Sequence, residues 1–156
     1  MRCPVFLPML VAVLLLGAMF NTQAAPDPTP AASPNPRAHP PTEAVKKELT
    51  TVIDDQLAAF RANDYAKAFT FASSGIQGMF APEDFEKMVR TVYPVIANSV
   101  SNTYGVMFDA GEEAVVNVRV QNASKQSIEY QYLLKKEAGA WKINGVSEVK
   151  AEGLSV

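Results

Sequence analysis

Cysteine is nearly missing from this chain: Cys3 is the only one. It precedes the apolar run of the leader, whereas a lipoprotein cysteine would follow it. Removal of the leader therefore leaves no thiol, which excludes a disulfide, a thiolate nucleophile and a cysteine-based metal site. Histidine is as scarce. His39, the single one, lies in a proline-rich stretch without metal-binding or acid–base neighbours, so any chemistry in the folded domain must do without it. Charge of one sign is not in excess either. The chain has 14 basic and 16 acidic residues, a net charge of -2, and losing Arg2 with the leader makes it -3. Without a basic stripe, neither nucleic acid nor anionic lipid is an expected partner. A glycine-rich phosphate loop, a Ser-His-Asp or Cys-His arrangement and a metal-ligand cluster are all missing, so no cofactor and no metal is expected.

What is present begins with a leader. Residues 1–24 read as a secretory signal peptide: Arg2 is a minimal basic start, Val5 to Phe20 is the apolar run, and Thr22-Gln23-Ala24 offers small residues for cleavage after Ala24. The alternative is a retained membrane anchor. The apolar run falls short of the ~20 residues a spanning helix needs, and Pro8 interrupts it. Cleavage is therefore expected, with no stable membrane anchor afterwards. Residues 25–41, APDPTPAASPNPRAHPP, form a Pro-rich disordered linker, because alternating prolines disfavour helix and the small residues cannot build a core. It reads as a solvated tail, or as a tether if the leader is kept. Residues 42–156 then make a single domain, large enough for one core and too small for two.

The domain is organised around Thr42 to Ala62. Val45, Leu49, Val52, Ile53, Leu57 and Phe60 recur every three or four residues and form one apolar helical stripe. Thr42 fits an N-cap with Glu43 just inside. Asp64 caps a short second helix carrying Tyr65, Ala68, Phe69 and Ala72 on one face, ended by Ser73-Ser74-Gly75. The stretch Ile76 to Phe80 reads equally as a helical turn or an extended link. Pro82 with Glu83 and Asp84 starts another helix, whose stripe is Phe85, Met88, Val89 and Val92; Tyr93-Pro94 stops it.

From Val95 the period becomes two. Tyr104, Val106 and Phe108 alternate with Gly105 and Met107. Val116, Val118 and Val120 alternate with polar residues, and Ile128, Tyr130, Tyr132 and Leu134 alternate with Glu129, Gln131, Leu133 and Lys135; Trp141 and Ile143 open a last strand. Breaks at Ala110-Gly111, Asn122 to Lys125 and Glu137 to Ala140 are hairpin-like. Helices followed by antiparallel strands predict an α+β fold, with the N-terminal helices packed on one face of the sheet.

The segments VIDDQLAAFRANDYAKAFTFAS (52–73), MFAPEDFEKMVRTVYP (79–94) and AGAWKINGVSEV (138–149), in this order, resemble the nuclear transport factor 2-like (cystatin-like) superfamily. The first two more narrowly resemble a bacterial family catalogued as a domain of unknown function. The resemblance implies a cone-like fold with a strongly curved antiparallel sheet, a pocket inside the cone, and a location in the bacterial periplasm once the leader is removed. It leaves activity open, because the superfamily holds isomerases, dehydratases, binding modules and dimerisation domains. An aspartate base with a tyrosine and protonated-aspartate oxyanion hole, as in ketosteroid isomerase, finds no match here.

Gln56 breaks the apolar stripe of the first helix. A buried amide needs partners, so it either bonds backbone of a neighbouring segment or fixes a ligand inside the cone. Phe60 follows it on the same face. Tyr130 and Tyr132 share the expected inner sheet face with Trp141, and buried tyrosines need hydroxyl partners. These five residues are the candidate pocket; no catalytic residue is assigned. Asp54 and Asp55 diverge on the helix, cannot form an acid–base pair, and read as a solvated face. Arg119 and Glu129 are expected to pair on the outer, polar sheet face, which in look-alike folds is the dimer surface. The expected function is a non-catalytic module for a small apolar or amphipathic ligand or a partner protein; the alternatives are an isomerase or dehydratase using one buried carboxylate and a structural or homodimerising domain.

Overall fold

The computed structural model describes residues 38–150. The leader expected at 1–24 and most of the linker expected at 25–41 lie outside them. Five helices among the described residues precede a curved, unclosed four-stranded antiparallel sheet with strand order β1-β2-β3-β4, an α+β architecture.

Helix α1 (Glu43–Arg61) starts where Thr42 Oγ1 accepts the Val45 N–H, and its buried face is Leu49, Ile53, Gln56, Leu57, Ala59 and Phe60. Asn63, at φ 55°, turns the chain out of the helix in the left-handed conformation that asparagine tolerates. Asp64 then caps α2 (Tyr65–Thr70) by accepting the Lys67 N–H. The ambiguous stretch after it is helical: Ser73 caps α3 (Ser74–Met79). Helix α4 (Pro82–Val92) has proline in its first turn and buries Phe85 and Val89. Pro94 stops α4 but also opens a further turn, α5 (Pro94–Ala97), because proline suits a first helical position. The strand expected from Val95 therefore begins only at Ser99.

Strands β1 (Ser99–Asp109), β2 (Glu113–Asn122), β3 (Ser127–Glu137) and β4 (Ala140–Glu148) form a meander. Their buried face is Val116, Val118 and Val120 of β2, Tyr130, Tyr132 and Leu134 of β3, and Trp141 and Ile143 of β4. Two irregularities bend the sheet. In β1 the register shifts between Tyr104 and Met107, so Gly105 and Val106 together stand where the partner strand has Asn117. The simple alternation expected there is thereby corrected: Met107 turns inward, while Val106 and Phe108 are exposed. In β4 the register shifts between Leu133 and Leu134 of its partner, leaving Asn144 as the extra residue.

Both sheet edges are partly covered. Phe71 to Ser73 pairs with β4 through Ser73 N–H to Ile143 O (2.8 Å) and Ile143 N–H to Phe71 O (2.9 Å). At the other edge His39 exchanges two backbone hydrogen bonds with Asp109 (3.0 and 2.8 Å). The His39 side chain is exposed, yet its backbone anchors the end of the proline-rich stretch to β1. Such pairing removes the open N–H and C=O groups that invite intermolecular strand addition. Asp54, exposed as the solvated-face reading expects, also clamps α1 to β1: it accepts hydrogen bonds from the Tyr104 hydroxyl (2.6 Å) and Asn102 Nδ2 (2.9 Å).

The β3–β4 turn holds Ala138 and Gly139 at φ 48° and 81°. Positive φ at both central positions suits asparagine followed by glycine, and alanine there is strained by about 1–2 kcal/mol. Ala138→Asn is expected to raise the stability of the domain by about 1 kcal/mol, read from denaturant unfolding midpoints. An unchanged or lowered midpoint would show that this turn is not strained.

Candidate functional site

A cavity of about 390 Å³ opens between α3, α4 and the end of β4. Its size is that of sites that hold small organic ligands. Helix α1 contributes Gln56 and Phe60; the α3 region contributes Ile76, Met79 and Phe80; α4 contributes Phe85, Met88, Val89 and Val92. Tyr93, Ile96 and Tyr132 complete the wall, with Ile143 to Val146 of β4. Helix α4 turns a stripe of apolar residues inward, but only part of it is packed: Phe85 lies against Phe60 of α1 and Phe69 of α2, with ring centroids 6.3 and 4.9 Å apart. The remainder borders open space.

Gln56 is 4% exposed and sits on the cavity floor. Its Nε2 donates to Ala68 O at 3.2 Å. A carbonyl can only accept, so this contact fixes the amide orientation and leaves Oε1 as the acceptor on the other side. That oxygen takes no hydrogen bond among the described residues. Gln56 thus fastens α1 to α2 and lines the cavity at once. Tyr132, inward-facing on β3, is fully buried, and its hydroxyl has no protein partner among the described residues. Burial pushes that hydroxyl above the ordinary tyrosine range, so it stays protonated and can both donate and accept. An unpaired buried hydroxyl costs about 1–3 kcal/mol.

Of the five residues singled out in the sequence, Gln56, Phe60 and Tyr132 line this cavity, whereas Tyr130 and Trp141 do not. Tyr130 packs edge-on against Tyr93, with ring centroids 6.1 Å apart, and burial raises its hydroxyl to about 12. Trp141 faces a shallow groove along the first half of α1, where its indole N–H donates to Glu48 at 3.1 Å. Strand alternation puts all three aromatics on one face, but the β4 irregularity and the helices above decide which of them meets open space. The same irregularity turns Asn144 to the cavity mouth, where its Oδ1 accepts from Ser73 Oγ at 2.8 Å. Tyr93 reaches across to donate to Val146 O at 2.7 Å, tying the end of α4 to β4. Neither role has a local sequence signal, because each depends on a bulge or a crossing of elements distant in the chain.

Among the described residues, no Asp, Glu, His, Lys or Arg lines the cavity. Asp109, the buried acid of the described residues, lies at the end of β1 and accepts the Gly111 N–H. Among the described residues, no three potential ligating side chains gather as a metal site.

One carboxylate steadies the cavity wall from outside. Glu137 accepts from the Ser74 N–H (3.0 Å) and Ser74 Oγ (2.8 Å) at the start of α3, and pairs with Lys135 at 3.0 Å. The Lys135 contact, then the Ser74 donors, lower its pKa to about 2. A carboxyl with a folded pKa below its unfolded one stabilises the fold fully above the unfolded value, near 4.5, and loses that effect as pH falls towards 2. Glu137→Gln is expected to flatten the fall of stability with pH across that window, measured by urea unfolding at pH 5, 4 and 3. A slope identical to wild type would show that Glu137 is not what the acid limb reports.

A family model described as a domain of unknown function (DUF4864) matches residues 42–156. The chain belongs to this family. The match spans the whole of the described domain from the Thr42 cap onward. Among solved structures, an NTF-2 like protein of unknown function from Shewanella oneidensis MR-1 is 11% identical, with a TM-score of 0.51 over 67% of this chain and 98% of that one. That likeness fixes the fold as nuclear transport factor 2-like. RPA3114, a SEC-C motif containing protein from Rhodopseudomonas palustris, is 13% identical, with a TM-score of 0.49 over 64% of this chain and 77% of that one. Aln2 from a Streptomyces species is 14% identical, with a TM-score of 0.48 over 72% of this chain and 94% of that one. No curated protein matches the chain.

Proposed function

We propose that this domain is a non-catalytic module that binds a small, chiefly apolar molecule in the cavity between α3, α4 and β4. The observation that carries the reading is the cavity's composition: a ligand-sized space walled by aliphatic, aromatic and methionine side chains, with a few hydrogen-bonding groups and, among the described residues, no carboxylate, histidine, lysine or arginine. An isomerase or dehydratase working through a buried carboxylate needs an acid in that wall, which the lining does not supply. A thermal-shift screen of uncharged metabolites and lipids tests the reading. Binders should raise the melting temperature of the wild type and leave that of Met88→Trp, whose indole fills the space, unmoved. If every stabilising compound acts equally on both proteins, the cavity is not the binding site.

A second reading, a homodimer through the sheet, is favoured by one feature of the outer face. Phe108, Val115, Leu133 and Gly145 lie in register across the four strands, and Phe108 and Leu133 are 44% and 41% exposed beside Val106 at 58%. Arg119 and Glu129 pair at 3.2 Å farther along the same face and make that part polar. Sedimentation of the wild type as a dimer and of Leu133→Lys as a monomer is expected if the apolar strip is the contact. Monomers in both would remove this reading.

We also propose export to the periplasm, supported by the leader pattern at 1–24. Intact mass of the protein from its exporting host should correspond to a chain starting at Ala25. A mass retaining residues 1–24 in the membrane fraction would overturn it.

A further inference from the structure

The walls of the cavity are held unequally. Strand β4 is tied into the sheet ladder, α1 lies in the core, and α4 buries Phe85 and Val89. Helix α3 buries no residue: Ile76 is half-buried and Met79 is 71% exposed. The side-chain hydrogen bonds that hold α3 lie between Ser73 and Gln77. They tie Ser73 Oγ to Asn144, Ser74 to Glu137, and Gln77 Nε2 to Phe69 O and Ala72 O (3.1 and 2.9 Å). The far end of α3 has only backbone bonds among the described residues, such as the Phe80 N–H to Ile76 O at 3.2 Å. Two of the six α3 residues are glycine, Gly75 and Gly78, and glycine is the poorest helix former after proline. The fold requires neither. Positive φ is found at Gly111 and Gly139 instead, a Cβ on Gly78 would meet nothing within 4 Å, and one on Gly75 would make ordinary contacts at 3.7 and 4.0 Å.

We infer that α3 is the lid of the cavity: pinned at Ser73 and Ser74, it unwinds from its Gly78–Phe80 end to admit an uncharged molecule and rewinds over it. The inference rests on the binding reading above and names how that site is entered. The inner lining of Phe60, Phe85, Val89, Ile96 and Ile143 is at most 5% exposed, so an organic molecule reaches it only where a wall gives way. A wall with no buried residue opens at lower cost than one packed into the core. Ile76 and Met79 line the cavity, so unwinding α3 moves both aside. Such a lid governs the rates of entry and exit. It leaves affinity alone where the closed state is the same with and without ligand.

Gly75→Ala combined with Gly78→Ala tests it, because neither residue lines the cavity and alanine stiffens the helix. In the full chain, the Gln77 and Phe80 amides should exchange hydrogen faster than the Val89 amide of α4. Each alanine should slow exchange at Gln77 and Phe80 about fivefold. Octanamide, uncharged and chiefly apolar, serves as the probe, its rates read from NMR line shapes of the Met88 methyl group. Association and dissociation should both slow in the double variant by the factor that exchange slows, with Kd unchanged. Three results overturn the lid while leaving the binding reading intact: Gln77 and Phe80 exchanging as slowly as Val89, octanamide association unmoved in the double variant, or dissociation slowed alone. Octanamide shifting no methyl group of the cavity in the wild type removes both.

Discussion

Leu57→Ala should lower the stability of the domain by about 2–5 kcal/mol, the largest loss expected from one truncation that spares the cavity. Leu57 is fully buried, as are Leu49 and Ile53 on the same stripe of α1. These side chains join the strand residues Val116, Val118 and Val120, also fully buried, in one continuous core. Shortening Leu57 forfeits the transfer free energy of its side chain and leaves a void that the flanking strands, tied into their ladders, cannot fill by moving. Small domains have about 5–15 kcal/mol in total, so the substitution would consume a large share. Urea unfolding reads it as a lowered midpoint at unchanged slope. Because Leu57 does not line the cavity, whatever still folds should bind ligand as before. A loss under about 1 kcal/mol would show that α1 is not the element on which the sheet is packed.

Gln56→Leu should cost about 1–3 kcal/mol although it makes the core more apolar. The amide N–H to Ala68 O is a buried contact between α1 and α2. The only other hydrogen bond that Ala68 O accepts among the described residues is from the Phe71 N–H, at 3.3 Å. Leucine removes the good donor and leaves that carbonyl poorly paired in a dry place. The penalty comes from the partner left behind rather than from glutamine itself. The same change strips the acceptor from the cavity floor, so binding of a polar-headed ligand should weaken in the protein that remains folded. A midpoint unchanged or raised by leucine would show that the Ala68 contact does not hold the helices together. Gln56 would then be a ligand-facing residue alone.

Much of this was legible in the sequence because it is local. The α1 stripe, the Thr42 and Asp64 caps, the Pro82 start and the three hairpin breaks each follow from a few neighbouring residues, and the structure has them at those places. Gln56 stood out because a polar residue in an apolar stripe is a local rule broken. What was not legible depends on register or on elements distant in the chain. Two-residue alternation put Val106 and Phe108 inward with Tyr104, but the extra residue at Gly105-Val106 reverses the faces beyond it. The same displacement creates the exposed apolar strip on the outer face. Met88 and Val89 read as ordinary core, since a stripe facing a cavity and a stripe facing packed side chains have the same spacing. Tyr93 and Asn144 reach the cavity only because the end of α4 meets β4 and β4 is irregular at its middle.

Methyl NMR of the isoleucine, leucine, valine and methionine side chains during an octanamide titration tests most directly whether the cavity is a binding site. Binding there predicts shifts confined to Ile76, Met79, Met88, Val89, Val92, Ile143 and Val146, saturating together, with Val106, Val115 and Leu133 on the outer sheet face unmoved. Saturable shifts at Val106, Val115 and Leu133 with none around the cavity would contradict it.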